Sequence, residues 1–437
     1  MKIPMRTASA LGALSVVAIA AGLAGCSSSG SENPEDITLT WWATQQSASI
    51  ETSQAVWEAV AGRFTDETGI DVEVEVIPWA DLYNKILGAV SSGSGPDLLN
   101  IGTTWTSSLQ DTGAFAPASG ENLDAMGGSD RFVQSAWEAA HVPDTEQTAV
   151  PLMSAVYSLY YNTALFEAAG ITEPPATWDE FVEVGKQLTV DTDGDGQIDQ
   201  WGLTMPAAAT TQNSHMAFIL GQQEGGSFVD EDGNATLSSP AQVEGVTRYV
   251  DFMTTDKIWS PSNAETNLIA DAVDQLIDGT GAMIFHTNPL AQFASRDFTD
   301  WAIAPVPVDE GAEEVRSLVG GTNALVFEDS PHKEAAFQLL GFITSPEEQA
   351  FIANEFSVLP VVTEAYDLEP YAGNGDDTIA VRQETLADAS APFPLVPNIG
   401  EIEPAVGNAV REMFQAFATG GDPDIEGRLQ AADAQLN

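Results

Sequence analysis

The sequence predicts an α/β protein of two domains, and three observations carry that expectation. Strand-like and helix-like segments alternate in β-α-β-α-β order through residues 37–101, the order of a mostly parallel sheet covered by helices. The chain has 437 residues, 43% apolar and only 18% charged. That is ample material for substantial cores and too much length for a single one. Finally, the fold starts late. Lys2 and Arg6 precede an apolar run at 11–23, and no Asp or Glu occurs before Glu32, the pattern of an export leader.

Each element has its own signal. Residues 37–42 (ITLTWW) are β-branched and aromatic, hence a strand. Residues 55–68 place Val56, Trp57, Val60 and Phe64 near helical spacing, and Gly69 ends the helix. Residues 71–77 (DVEVEVI) alternate as a second strand. Residues 81–90 form a helix with Leu82, Ile86 and Leu87 to one side, and residues 97–101 (DLLNI) a short buried strand. Further on, 164–169, 178–188, 239–255 and 332–344 read as helices, and 281–286, 301–306 and 324–327 as strands. Thr177 and Glu180 form a capping-box pair at the start of the second of these helices. There is no internal repeat.

Charge excludes partners before it names any. Against 65 Asp+Glu there are 14 Lys+Arg, a formal net charge of −51. So few cations cannot build a nucleic-acid surface or a basic face for anionic lipid. The acidic excess reads as a solvated exterior, and it favours neutral ligands over anionic ones.

Two resemblances narrow the class. Leu23-Ala24-Gly25-Cys26 resembles a bacterial lipobox, and Cys26 is the sole cysteine. That resemblance implies a diacylglyceryl group on Cys26, cleavage after residue 25, and residues 26–35 as a flexible tether. The rest of the chain resembles extracellular solute-binding lipoproteins of ABC importers, of the sugar-binding, maltose-binding-protein-like kind (solute-binding protein family 1). The pieces are Phe64 with Thr68-Gly69-Ile70 and Val72; Gly95-Pro96-Asp97-Leu98; Tyr160-Tyr161-Asn162 with Leu165-Phe166; and Pro174-Pro175 with Thr177-Trp178 and Glu180-Phe181. Gly279 with Ala282-Met283, Gly320-Gly321, and Leu359-Pro360-Val361 complete the series. Their order and spacing carry the likeness across nearly the whole mature chain.

The resemblance implies a two-lobed periplasmic-binding-protein-like fold, each lobe a mostly parallel sheet flanked by helices, with three hinge crossings. Mapped here, one lobe combines 36–149 with 301–330 and the other 150–300 with 331–437. It implies capture of a carbohydrate, expected to be an oligosaccharide, in the cleft and delivery to ABC permease transmembrane subunits. It further implies a monomer held at the outer face of the cell membrane through lipid alone.

A sugar needs flat aromatics for its ring faces and amide, carboxylate, hydroxyl or imidazole groups for its hydroxyls. Such residues stand where the resemblance places cleft loops: Trp42, Thr44 and Gln45 after the first strand, then Thr104 and Trp105 after the third. Beyond the first hinge come Tyr157, His215, Trp259, His286 and Asn288, then Gly321, Thr322, Asn323, Asn398 and Glu401. Trp41 and Trp42 alternate across one strand, so one faces core; Trp42 is assigned to the cleft. Trp105 opens a helix-like run and suits core or cleft alike. Trp57, Trp137 and Trp178 lie on helical patterns and read as structural.

Asp191, Asp193, Asp195, Gln197 and Asp199 put oxygens at alternate positions of an EF-hand-like loop, with Gly196 at the sharp turn. The expected closing Glu is instead Gly202. The loop therefore reads either as a structural calcium site or as an Asx-rich turn. No cofactor is required by the reading. Enzyme signatures are missing: there is no Gly-x-Ser-x-Gly, no His-Glu-x-x-His, and four scattered histidines. The alternatives left open are a binder of another small solute (polyol, glycerol phosphate or polyamine) and a secreted glycoside hydrolase using a carboxylate pair.

Overall fold

The computed structural model of the protein describes residues 34–437 apart from 48 and 373–376. The leader, Cys26 and all but the last two residues of the tether lie outside the described residues. The strands are β1 (Thr38–Thr44), β2 (Asp71–Ile77), β3 (Leu98–Gly102), β4 (Val150–Ala155), β5 (Ser158–Asn162) and β6 (Trp201–Leu203). They continue with β7 (Gly281–His286), β8 (Trp301–Ala304), β9 (Ser317–Leu318), β10 (Gly320–Val326) and β11 (Ser390–Ala391). They form a five-stranded sheet in the order β2-β1-β3-β10-β4, a four-stranded sheet β6-β7-β5-β8, and the pair β11-β9.

In the first sheet β1, β2 and β3 run parallel, registered Thr44 to Ile77 and Trp41 to Leu98. Their C-terminal ends therefore share one edge. β10 returns antiparallel, with Thr322 opposite Gly102, and brings Gly320 and Gly321 to that same edge. Gly321 sits at φ +118, and a Cβ there would lie 2.1 Å from the Met153 carbonyl oxygen. Only glycine allows β10 this approach to β4. Trp41 fills the core beneath, edge-on to Trp57 at 5.0 Å, with its indole donating to Asn100. The helix Ile50–Thr68 starts five residues before its apolar pattern because Ser49 caps it, accepting from the Thr52 amide.

The second sheet is not mostly parallel as expected: β5 runs antiparallel to both β7 and β8, and only β6 and β7 pair parallel. Behind this sheet pack Trp178, Phe181, Phe252 and Phe285. The expected capping box is present: Thr177 accepts from the Glu180 amide, and the Glu180 carboxylate accepts from the Thr177 amide.

Three expected lobe boundaries move. β4 stays in the first sheet beside β10, so the first crossing follows Ala155 instead of preceding Pro151. β8 pairs with β5 in the second sheet, so residues 301–304 leave the first lobe. The helices Lys333–Ile343 and Pro346–Phe356 pack on the first lobe's core, Phe342 on Phe64 at 5.5 Å and Phe356 on Trp57 at 5.0 Å. The same core takes Val361, Val362, Ala365 and Tyr371, so the last crossing falls well beyond Pro331. These helices are amphipathic, and their apolar faces fit whichever core lies beside them; the sequence does not say which. Where the crossings converge, Val156, Val319, Leu359 and Leu386 form a small cluster of their own.

Candidate functional site

A cavity of about 660 Å³ opens between the lobes at the shared strand edge. The first lobe supplies Trp79 and Tyr83 from the helix Trp79–Ser92, and Gly102 to Trp105 from the end of β3. The second supplies Thr210, Thr211, Gln212 and His215 from the helix Thr210–Gln223, and Gly400, Glu403 and Pro404 from the helix Ile399–Ala418. Leu318, Gly320 and Gly321 form the floor. A larger cavity, about 1280 Å³, lies on the first lobe between the helices Ile50–Thr68 and Lys333–Ile343. It touches no second-lobe residue, so a solute there would not couple to closure.

The first-lobe wall is aromatic. Trp105 meets Trp79 edge-on at 5.6 Å and Tyr83 at 5.0 Å. Trp79 keeps 38% of its surface exposed. A side chain at Gly102 would lie against both indoles, 3.5 Å from Trp105 and 3.6 Å from Trp79. The Tyr83 hydroxyl reaches across to the second lobe, where a Cβ on Gly400 would stand 3.4 Å from it.

The second-lobe wall is a polar chain. The Tyr157 hydroxyl lies 3.0 Å from His215 Nδ1, and His215 Nε2 lies 3.3 Å from Glu403 Oε1. Burial first, and then the Glu403 charge, push the Tyr157 phenol well above its ordinary range. The phenol therefore stays protonated; with Nε2 protonated beside the carboxylate, Nδ1 accepts from the Tyr157 hydroxyl, and the 3.3 Å Nε2 contact to Glu403 is electrostatic, not a hydrogen bond.

Of the expected site residues, Thr104, Trp105, His215 and Gly321 line this cavity, and Tyr157 stands behind His215. The others lie elsewhere. Trp42 is half-buried under the Lys85 ammonium, 4.1 Å from its ring. Thr44 is buried and accepts from the Gln46 amide; Gln45 donates to the Ser47 carbonyl. Trp259 is wholly buried between Tyr249 and Phe414, its indole donating to the Met205 carbonyl, so it cannot stack on a solute. His286 accepts the Asn288 amide on Nδ1, and burial pushes its pKa down to about 4. Asn288 donates to the Phe356 carbonyl, tying the second lobe to the first. Thr322 and Asn323 are buried in β10, and Asn323 donates to Thr106. Asn398 starts the helix whose Gly400 and Glu403 do line the cavity; Glu401 on that helix is exposed.

The sequence reading missed Trp79, Tyr83 and Glu403. A signal existed for the first two. Three parallel strands end at one edge, and the loop after the second, Pro78-Trp79, was as eligible as those after the first and third.

The acidic loop gathers three of its five expected donors. Carboxylate oxygens of Asp191, Asp193 and Asp195 lie within 4.8 Å of one another. Gln197 instead donates to Asp195, and Asp199 accepts from the Thr192 amide and hydroxyl, bonds that lower its pKa. Asp191 also accepts from the amides of Gly194 and Gly196, the bonding of an Asx-rich turn.

The profile of the family described as bacterial extracellular solute-binding protein matches residues 48–350. A putative binding protein of Brucella abortus is 28% identical over 386 residues, 86% of this chain and 88% of the relative. A diacetylchitobiose-binding protein of Streptomyces coelicolor is 25% identical over 421 residues, 91% of this chain and 90% of the relative. Among solved structures, a solute-binding protein of an ABC transporter from Thermotoga lettingae, bound with α-D-tagatose, superposes with TM-score 0.78. Its sequence identity is 22%, covering 92% of this chain and 99% of that one.

Proposed function

This chain belongs to the bacterial extracellular solute-binding protein family, and from that premise we propose that it binds a carbohydrate for an ABC importer. The observation that carries the reading is the pairing of walls: aromatic rings from one lobe face a hydrogen-bonding chain from the other across one cavity. Aromatic faces cover the apolar faces of a sugar ring, and the polar wall takes its hydroxyls. A sugar touching both walls stabilises the closed arrangement, because only there are all its contacts made. The role is capture and delivery to permease subunits, without catalysis. The protein acts as a monomer, tethered outside the cell membrane by lipid on Cys26. No helix of the described residues is long and apolar enough to cross a membrane. A structural calcium held by Asp191, Asp193 and Asp195 belongs to the same proposal.

A melting screen of the purified protein against mono- and oligosaccharides tests this. A bound sugar raises the melting temperature by mass action, by about 2.7 kcal/mol of added stability at a hundredfold excess over Kd. If a polyamine or polyol stabilises the protein and no saccharide does, the carbohydrate reading fails. An EDTA arm lowers the melting temperature if the loop holds calcium, and added calcium restores it. Indifference to both removes the ion. Release of reducing sugar over many turnovers would replace binding by hydrolysis.

A further inference from the structure

The composition of the cavity walls names a substrate class. Among the described residues lining the cavity, Glu403 is the one carboxylate, and no lysine or arginine is present. Its side chain is 14% exposed, and its one polar contact among the described residues is His215 Nε2, 3.3 Å from Oε1. The direction of the chain matters. Tyr157 donates to His215, and His215 presents Nε2–H to Glu403, so the chain ends in an acceptor. That carboxylate belongs to a residue lining the cavity.

We infer that Glu403 is the specificity-determining residue of this site, selecting non-anionic saccharides, neutral or amino-bearing, and rejecting uronates and sugar phosphates. This rests on the carbohydrate reading above. A ligand hydroxyl or ammonium donates to the Glu403 carboxylate, a charge-assisted bond. A ligand carboxylate or phosphate placed there meets a like charge in a partly desolvated site, with no cation within the lining to offset it. The aromatic wall supports the same choice, since the faces of Trp79, Tyr83 and Trp105 attract an ammonium and repel an anion. A chain net charge of −51 adds a field of the same sign. Tyr157 and His215 are positioning residues, holding the carboxylate at the cavity wall.

The experiment is isothermal titration of the purified protein with maltose, cellobiose and the glucosamine disaccharide, against digalacturonate and cellobiouronic acid. At least one of the first three binds, and both acids bind at least about tenfold more weakly than the tightest of them. Glu403→Gln keeps the melting temperature of the ligand-free protein. It weakens the tightest binder about tenfold or more and narrows its advantage over the acids. Glu401→Gln, on the exposed side of the same helix, leaves every affinity unchanged. Acids binding within about threefold of the tightest neutral sugar, or undiminished affinity in Glu403→Gln, overturn the inference and leave the carbohydrate reading standing. Binding by none of the five overturns the carbohydrate reading itself.

Discussion

The two walls of the cavity are built on opposite principles. The first lobe offers rings: Trp79, Tyr83 and Trp105 packed edge to face, with glycine at 102 leaving room beside them. The second offers a directed chain from Tyr157 through His215 to Glu403, seated against the buried body of that lobe. Ring contact is broad and tolerant, roughly proportional to area removed from water. A half-buried carboxylate is narrow and punishing, since a ligand group of the wrong kind leaves it unsatisfied or repelled. Under the proposed function, the difference assigns affinity to the first lobe and discrimination to the second. It also explains why closure matters: neither wall alone encloses a solute.

Three substitutions break or sharpen that contrast. The largest expected effect asks which second-lobe histidine belongs to the wall. His286 is held neutral by burial, its pKa pushed from 6.5 to about 4. The unfolded chain protonates first as pH falls. The stability this residue contributes is therefore whole above pH 6.5 and is lost progressively down to about 4, with no further loss below. The loss is on the order of 3 kcal/mol. His286→Asn keeps an acceptor for the Asn288 amide, flattens that part of the melting-temperature profile and leaves saccharide affinity intact. A fall in affinity would return His286 to the binding wall.

Trp105→Ala comes next. It removes the ring that touches both other aromatics, costing roughly 2 kcal/mol in affinity, about thirtyfold by calorimetry. Selectivity between neutral and acidic sugars should survive, because that wall does not set it. If selectivity collapses with affinity, the division of labour is wrong. The smallest effect is that of Tyr157→Phe. It keeps the ring and removes the donor to His215, costing about 1 kcal/mol. Here selectivity should erode more than in Trp105→Ala, although the loss of affinity is smaller.

How much of this was legible beforehand differs between the fold and the site. The β-α-β alternation, the capping box at Thr177 and the end of the first helix at Gly69 were all readable, because each is written in neighbouring residues. The lobe boundaries were less so. Helices Lys333–Ile343 and Pro346–Phe356 carry apolar faces that would suit either core, and only packing against Phe64 and Trp57 settles it. In the site, chemistry was legible and direction was not. Trp259 and His286 have the right chemistry, yet one is enclosed by Tyr249 and Phe414 and the other is turned to its own loop. Glu401 and Glu403 lie on one helix two residues apart; one is exposed and the other lines the cavity.

By itself, then, the sequence determined local geometry and kinship: where strands and helices start and stop, and the ordered motifs of a solute-binding family. These depend on period, caps and spacing, which are properties of adjacent residues. The tertiary structure alone decided which side chains meet. Tyr83 and Trp105 share a cavity with Glu403 only because three parallel strands of a mixed sheet end on one edge and the chain then crosses to the other lobe and back. No local pattern encodes that encounter, since it is made by residues far apart in the chain and fixed by the packing of two separate cores.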